Sequence, residues 1–261
     1  RAVFGTHVRL HGYSYAKAME EGNNAAFIRF AGIFTGATIA FWGVVTPTEL
    51  GFWHDFIRII QCLLQVMVYM IIAGYVNDKV TLYRIDNLKA IFKDGNSSVA
   101  MIEFATFVAT GLVFGASQSG GGSFDENAVW FLVGQIMLAV SVFVYGYCHD
   151  HNGPMVKQMH ENIGNNNMSY AFSLSGFIIS VGVVSHVVIK NVEQPLFAFF
   201  ALLVWFLVTF TFQFMVNRLI IPKKDLWKMT VQTSTNQPVT GAGLLQGIMF
   251  LASAVIITVF N

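Results

Sequence analysis

The chain alternates between long apolar runs and polar stretches in a regular order. Seven apolar spans are legible: Ala25–Val45, Phe56–Tyr75, Ser98–Ala116, Val129–Cys148, Ser169–Ile189, Leu196–Ile221 and Val239–Phe260. Each reaches about the ~20 residues that a membrane-crossing helix needs. Their apolar character is continuous rather than alternating, which predicts helices and not strands. In lipid the backbone must satisfy its own hydrogen bonds, and an uninterrupted helix does so.

The connections are of two kinds. Long polar linkers of roughly twenty residues precede Ala25, Ser98, Ser169 and Val239, and shorter ones join the spans at their other ends. Of the fifteen Lys and Arg residues, twelve fall in the long linkers or, as Arg218 does, in the last turn of the span before one, with Arg29, Arg58 and Lys190 elsewhere. The positive-inside rule places those linkers in the cytoplasm and the loops around Gly120 and Glu193 outside. Within the second linker, Leu82, Ile85, Leu88 and Phe92 share one helical face, so a short amphipathic helix at the headgroup surface is expected.

The pattern repeats. Asn23-Asn-Ala-Ala-Phe-Ile-Arg-Phe-Ala-Gly32 resembles Asn167-Met-Ser-Tyr-Ala-Phe-Ser-Leu-Ser-Gly176 at an offset of 144 positions. Ser97-Ser-Val-Ala-Met-Ile-Glu-Phe-Ala-Thr106 lies between them, and a looser copy opens at Asn236. Gly74-Tyr-Val-Asn-Asp78 is echoed by Gly146-Tyr-Cys-His-Asp150. The unit is helix, linker, Asn-led helix, with a period near 72. The opening Asn and Ser residues suit N-caps, because their side chains accept orphan backbone N–H groups. The expected fold is an all-α membrane protein with four repeated two-helix units, in pairs at 1–120 and 121–261. Seven spanning helices fall in this chain, and the repeat calls for an eighth before Arg1.

Composition agrees: 55% of residues are hydrophobic and 11% charged, against ~25% charged in soluble domains. A net charge of +1 offers nothing to nucleic acid. Two cysteines in apolar surroundings give neither a disulfide framework nor a zinc signature.

The Asn-led repeats resemble a bacterial membrane family called domain of unknown function 350. Asn24-Ala-Ala, Asn96-Ser-Ser-Val-Ala and Asn167-Met-Ser-Tyr-Ala carry the match, with Gly32 and Gly176 at the expected glycine. Thr106 stands at that place in the second copy, and Pro238 interrupts the fourth, which opens at Asn236. The resemblance implies a multi-pass protein of the bacterial inner membrane, at times associated with membrane-stress systems, and supplies no catalytic residue.

Two residues stand out inside the spans. Glu103 is the one acidic residue within them, and Arg29 holds the corresponding place in the first Asn-led helix. An ionisable group at membrane depth costs ~2.5–3.5 kcal/mol on insertion scales, so each needs a partner or a route to water. They could pair across repeats, line a polar path, or snorkel outward separately. Cys148, His149, His151 and His160 have ligand chemistry for zinc or copper, yet the equivalent linker reads Val76-Asn-Asp-Lys79, an ordinary polar helix exit. His186 has no second buried histidine to complete an axial haem pair. No nucleophile–base pair or phosphate-binding loop is visible. The expectation is a non-enzymatic scaffold or accessory subunit without cofactor, in contact with the bilayer and with protein partners at its linkers or helix faces. The alternative is an ion channel or passive transporter with a polar path between repeats.

Overall fold

A computed structural model of the chain describes residue 8 and residues 12–42, 51–118, 124–149, 157–191, 194–220, 226–232 and 237–259. Among these residues there are eleven α-helices and no strand. Four are Asn-led or its equivalent: α2 (Asn24–Trp42), α5 (Ser97–Gln118), α8 (Met168–Asn191) and α11 (Thr240–Val259). Three are the helices that precede linkers: α3 (Phe52–Val76), α6 (Phe124–His149) and α9 (Pro195–Ile220). Four short helices occupy the linkers: α1 (Tyr15–Glu20), α4 (Asn87–Phe92), α7 (Lys157–Gly164) and α10 (Leu226–Thr230). A single π-helical turn, Asn77–Thr81, prolongs α3 into the second linker.

Helices α2, α5, α8 and α11 lie side by side in chain order, and α3, α6 and α9 pack across the joints between them. The inner two of the row, α5 and α8, are the most enclosed and are largely buried, whereas most of α3 is exposed. The outer helices instead show apolar stripes to their surroundings, such as Phe56, Ile60, Leu63 and Leu64 on α3 and Leu203, Val204 and Leu207 on α9. Stripes of that size are untenable in water and ordinary in lipid. Five helices are long and apolar enough to cross a membrane, and two shorter apolar stretches lie at 196–212 and 240–256.

Hydrocarbon provides no hydrophobic drive between helices, so close packing must hold the row together. Small residues make this possible. A Cβ added to Gly36 would strike the carbonyl of Phe107, one on Gly111 would strike Gly36, and one on Gly176 would strike Gly247. The helices therefore meet backbone to backbone, and the seams are glycine seams.

The linkers are joined to the row by the opening asparagines. Asn23, Asn96 and Asn167 each accept from the backbone N–H three residues on, at 3.1, 3.0 and 3.2 Å, which caps the following helix. The same side chains donate through Nδ2 to carbonyls at the end of the next repeat's linker helix. Asn23 reaches Ile91 at 2.8 Å, Asn96 reaches Ile163 at 3.0 Å, and Asn167 reaches Thr230 at 2.8 Å. One amide thus serves its own helix and the next repeat.

The residue before each of these asparagines is left-handed: Gly22 at φ 75°, Gly95 at φ 64° and Asn166 at φ 58°. At the ends of α1 and α7 the N–H of Asn23 returns to Ala18, and that of Asn167 to Asn162, in a Schellman closure. This corrects the sequence register in two places. The capping residue of the first repeat is Asn23, and Asn24 is an exposed first-turn residue. Counted from the cap, the place of Gly32 and Gly176 falls on Ala105 rather than Thr106, so the second copy keeps a small residue there. Asn236, the marker of the fourth copy, lies outside the described residues.

Replacing Gly36 by Val should destabilise the detergent-purified protein by about 1–3 kcal/mol, the usual cost of overpacking. Gly241→Ala, where an added Cβ meets nothing, serves as the control. Thermal unfolding of the two variants checks this, and equal midpoints would contradict the glycine-seam account.

Candidate functional site

The structure brings Arg29 and Glu103 together in the seam between α2 and α5. Arg29 Nε donates to Glu103 Oε2, and the side chains are 6% and 2% exposed. Nη1 of Arg29 donates to the Tyr15 hydroxyl, so α1 is held onto the same guanidinium. The guanidinium also lies over the rings of Tyr15 and Phe107, 5.8 and 5.9 Å from their centroids. Burial pushes the Tyr15 phenol above its ordinary value, so it remains a neutral acceptor for Arg29 at physiological pH.

The pair meets because neighbouring helices are staggered. Counted from the capping asparagine, Arg29 is at position six and Glu103 at position seven, one apart rather than equivalent. The π-turn completes the surroundings. Asp78 lies beside the pair, on the same small cavity as Arg29, and its Oδ1 accepts from Asn87 Nδ2 at 2.5 Å. Beside it, Thr106 Oγ1 donates to Asn77 Oδ1 at 3.2 Å. Two sets of polar contacts therefore lie side by side, Tyr15–Arg29–Glu103 and Asp78–Asn87, drawn from five elements. Arg29 and Asp78 also line a cavity of about 80 Å³ together with Gly74, Tyr75 and Phe107.

The second half of the chain has a neutral counterpart. In the α8–α11 seam Ser173 donates to Gln246 Oε1 at 2.8 Å and accepts from Tyr145 at 2.7 Å. Ser173 is 144 residues after Arg29, and Gln246 is 143 after Glu103. In the middle seam the matching residues are Ile102 and Leu174, both buried and apolar. Sequence reasoning overlooked Gln246, because the fourth copy lacks a recognisable opening. The offset from Glu103 is the signal that could have found it.

Other polar groups within the helices also close locally. Gln135 Nε2 reaches Thr110 Oγ1 at 3.3 Å, Ser175 donates to the Met101 carbonyl, and His186 Nδ1 lies 2.9 Å from the Leu112 carbonyl.

The metal-ligand candidates are not brought together. Cys148 is half-buried at the end of α6, and His160 is buried on α7 with its ring edge-on to Tyr83. His151 and the side chain of His149 lie outside the described residues. Among the described residues no three His, Cys, Asp or Glu side chains gather as metal ligands.

Glycine seams in a row, apolar outer faces and an enclosed charged pair define a multi-pass α-helical membrane protein built from tandem repeats. The chain belongs to the family described as Domain of Unknown Function (DUF350), whose model matches residues 2–118 and again 122–260. No catalytic role is attached to that family. Comparison with curated proteins and with solved structures gives no match.

Arg29→Gln should cost about 3–5 kcal/mol, since it strips a buried carboxylate of its cation, and Glu103→Gln should cost less, since the Asp78 carboxyl remains beside Arg29. The double variant should recover part of that loss, and a double-mutant cycle of thermal unfolding in detergent measures the coupling. Purely additive losses would contradict a coupled pair.

Proposed function

We propose that the chain is a multi-pass scaffold or accessory subunit of a larger assembly in a bacterial inner membrane, without catalysis of its own. In this reading α9 and α11 span the bilayer with the other five long helices, giving seven, and the Lys-rich linkers face the cytoplasm. The observation that carries it is the local pairing of several intramembrane polar side chains. Arg29 closes on Glu103, Ser173 on Gln246 and Tyr145, and Gln135 on Thr110. A channel would need such groups to share one water-filled interior instead.

The linkers supply a surface for a partner. A groove of about 460 Å³ runs between α4 and α7, walled by Arg84, Asp86, Lys89, Asp94, Lys157 and Glu161. Its charges are of both signs, which suits a protein segment of mixed charge better than a polyanion. The association with membrane-stress systems belongs to this proposal as a cellular setting and rests on family resemblance alone.

Reconstitution tests the reading. Liposomes holding the purified protein should leak ions no faster than empty ones. A tagged chain extracted in mild detergent should retain a stoichiometric partner, which the charge reversal Lys89→Glu with Lys157→Glu releases. Ion flux that depends on Arg29 or Glu103 would move the assignment to a channel.

A further inference from the structure

The charged seam contains one carboxyl oxygen more than its donors can serve. Glu103 Oε2 takes the Arg29 guanidinium, while Oε1 is fully buried with no N–H or hydroxyl donor. The carboxyl nearest to hand is that of Asp78: its neighbour Asn77 accepts from Thr106, one turn beyond Glu103, and Asp78 itself shares a cavity with Arg29. Two ionised carboxylates are acceptors only and repel one another, so a hydrogen bond between them requires a proton on one. Asp78 is placed to carry it: its Oδ1 is the acceptor for Asn87, and its second oxygen is left for an O–H directed at Glu103.

We propose that Asp78 and Glu103 form a proton-binding site that exchanges with water at the linker end and couples protonation to the seating of the second linker on α5. With the proton in place, one guanidinium balances one carboxylate and the buried cluster is neutral. Release passes the proton from the Asp78 hydroxyl to a water, as hydronium, and leaves two carboxylates against one guanidinium. A net buried charge is costly, and the half-buried Asp78 can relieve it by turning outward with the π-turn. Asn87 ties that movement to α4, whose last carbonyls hold Asn23 and whose side chains wall the linker groove.

A small cavity adjoins Asp78 and Arg29. The cavity lined by Arg29, Tyr75 and Asp78 is about 80 Å³, room for two or three waters at ~30 Å³ each. The ionisable groups around the pair are Tyr15 from α1, Arg29 from α2, Tyr75 on α3 and the exposed Lys79 on the turn itself. α6 packs against the turn and brings Tyr145, Tyr147 and Cys148 at the same end. Among the described residues, Arg29 is the one cation enclosed with the carboxyls. The second half of the chain uses Ser173 and Gln246 at the matching seam, so the fold does not require ionisable chemistry there. The inference does not depend on the scaffold reading, because a channel subunit could carry the same site.

Infrared spectroscopy of the full chain in lipid tests it directly. The wild type at about pH 6 should show the C=O band of a protonated carboxylic acid, which shifts in D2O and fades towards about pH 9. The band should vanish in Asp78→Asn. Should that variant fail to fold, Asn87→Ala keeps both carboxyls and removes the bond to Oδ1, and its band should move to higher frequency. Stability follows the same sign. The folded chain holds a proton that an ordinary Asp has lost above ~pH 4, so wild-type stability should fall as pH rises through release, and the Asp78→Asn profile should be flat. Absence of the band in the wild type, its persistence in Asp78→Asn, or an unshifted band in Asn87→Ala would each overturn the proposal.

Discussion

Everything in this architecture depends on an asparagine that serves two repeats at once. Its Oδ1 satisfies an orphan N–H at the start of one helix, and its Nδ2 satisfies carbonyls at the end of the next repeat's linker helix. Helix ends near a membrane surface leave several unpaired backbone groups, each expensive if left dry. A single amide side chain meets both needs because it is a donor and an acceptor in one plane. Aspartate could cap but not donate, and lysine could donate but not cap. The preceding left-handed residue, Gly22, Gly95 or Asn166, makes the corner tight enough for the reach.

The asparagine ties set the stagger between repeats, and the glycine seams follow from that stagger. Once each helix is displaced along its neighbour by a fixed amount, small residues must recur where backbones cross, as Gly36 and Gly111 or Gly176 and Gly247 do. The outer faces of the row depart from this rule. Phe27 stands at the place of Ala100 and Ala171, and Ile248 at the place of Gly32, Ala105 and Gly176 when the last repeat is counted from Val239. Both are about half exposed. Bulky residues there suit contact with lipid chains and do not reproduce the close seam. Among the described residues the charged pair belongs to the first seam, with a neutral pair at the matching place in the last seam.

Much of this was legible in the sequence, for identifiable reasons. Continuous apolar runs can only be helices in lipid, and a repeated Asn opening marks a cap whatever lies around it. The opposite charges of Arg29 and Glu103, two turns into adjacent Asn-led helices, pointed to one another because lipid leaves few other partners. The exact cap escaped, since the doublet Asn23-Asn24 offers two candidates and the deciding signal is the left-handed residue before it. Asp78 escaped because the repeat aligned it with Asp150 as an ordinary polar exit. It lies on the π-turn, a departure from helical register, and shares a cavity with Arg29. Gln246 escaped because Pro238 and an irregular linker hide the start of the fourth copy.

The central claim is that one asparagine joins two repeats, and hydrogen exchange on the Asn96→Ser variant measures it most directly. Serine still caps α5, but its hydroxyl is too short to reach the carbonyls of Ile163 and Gly164. Amide protection should therefore fall in α7, residues 157–164, one repeat further along, while the first turn of α5 keeps its protection. Loss confined to the first turn of α5, or unchanged exchange in α7, would contradict the account.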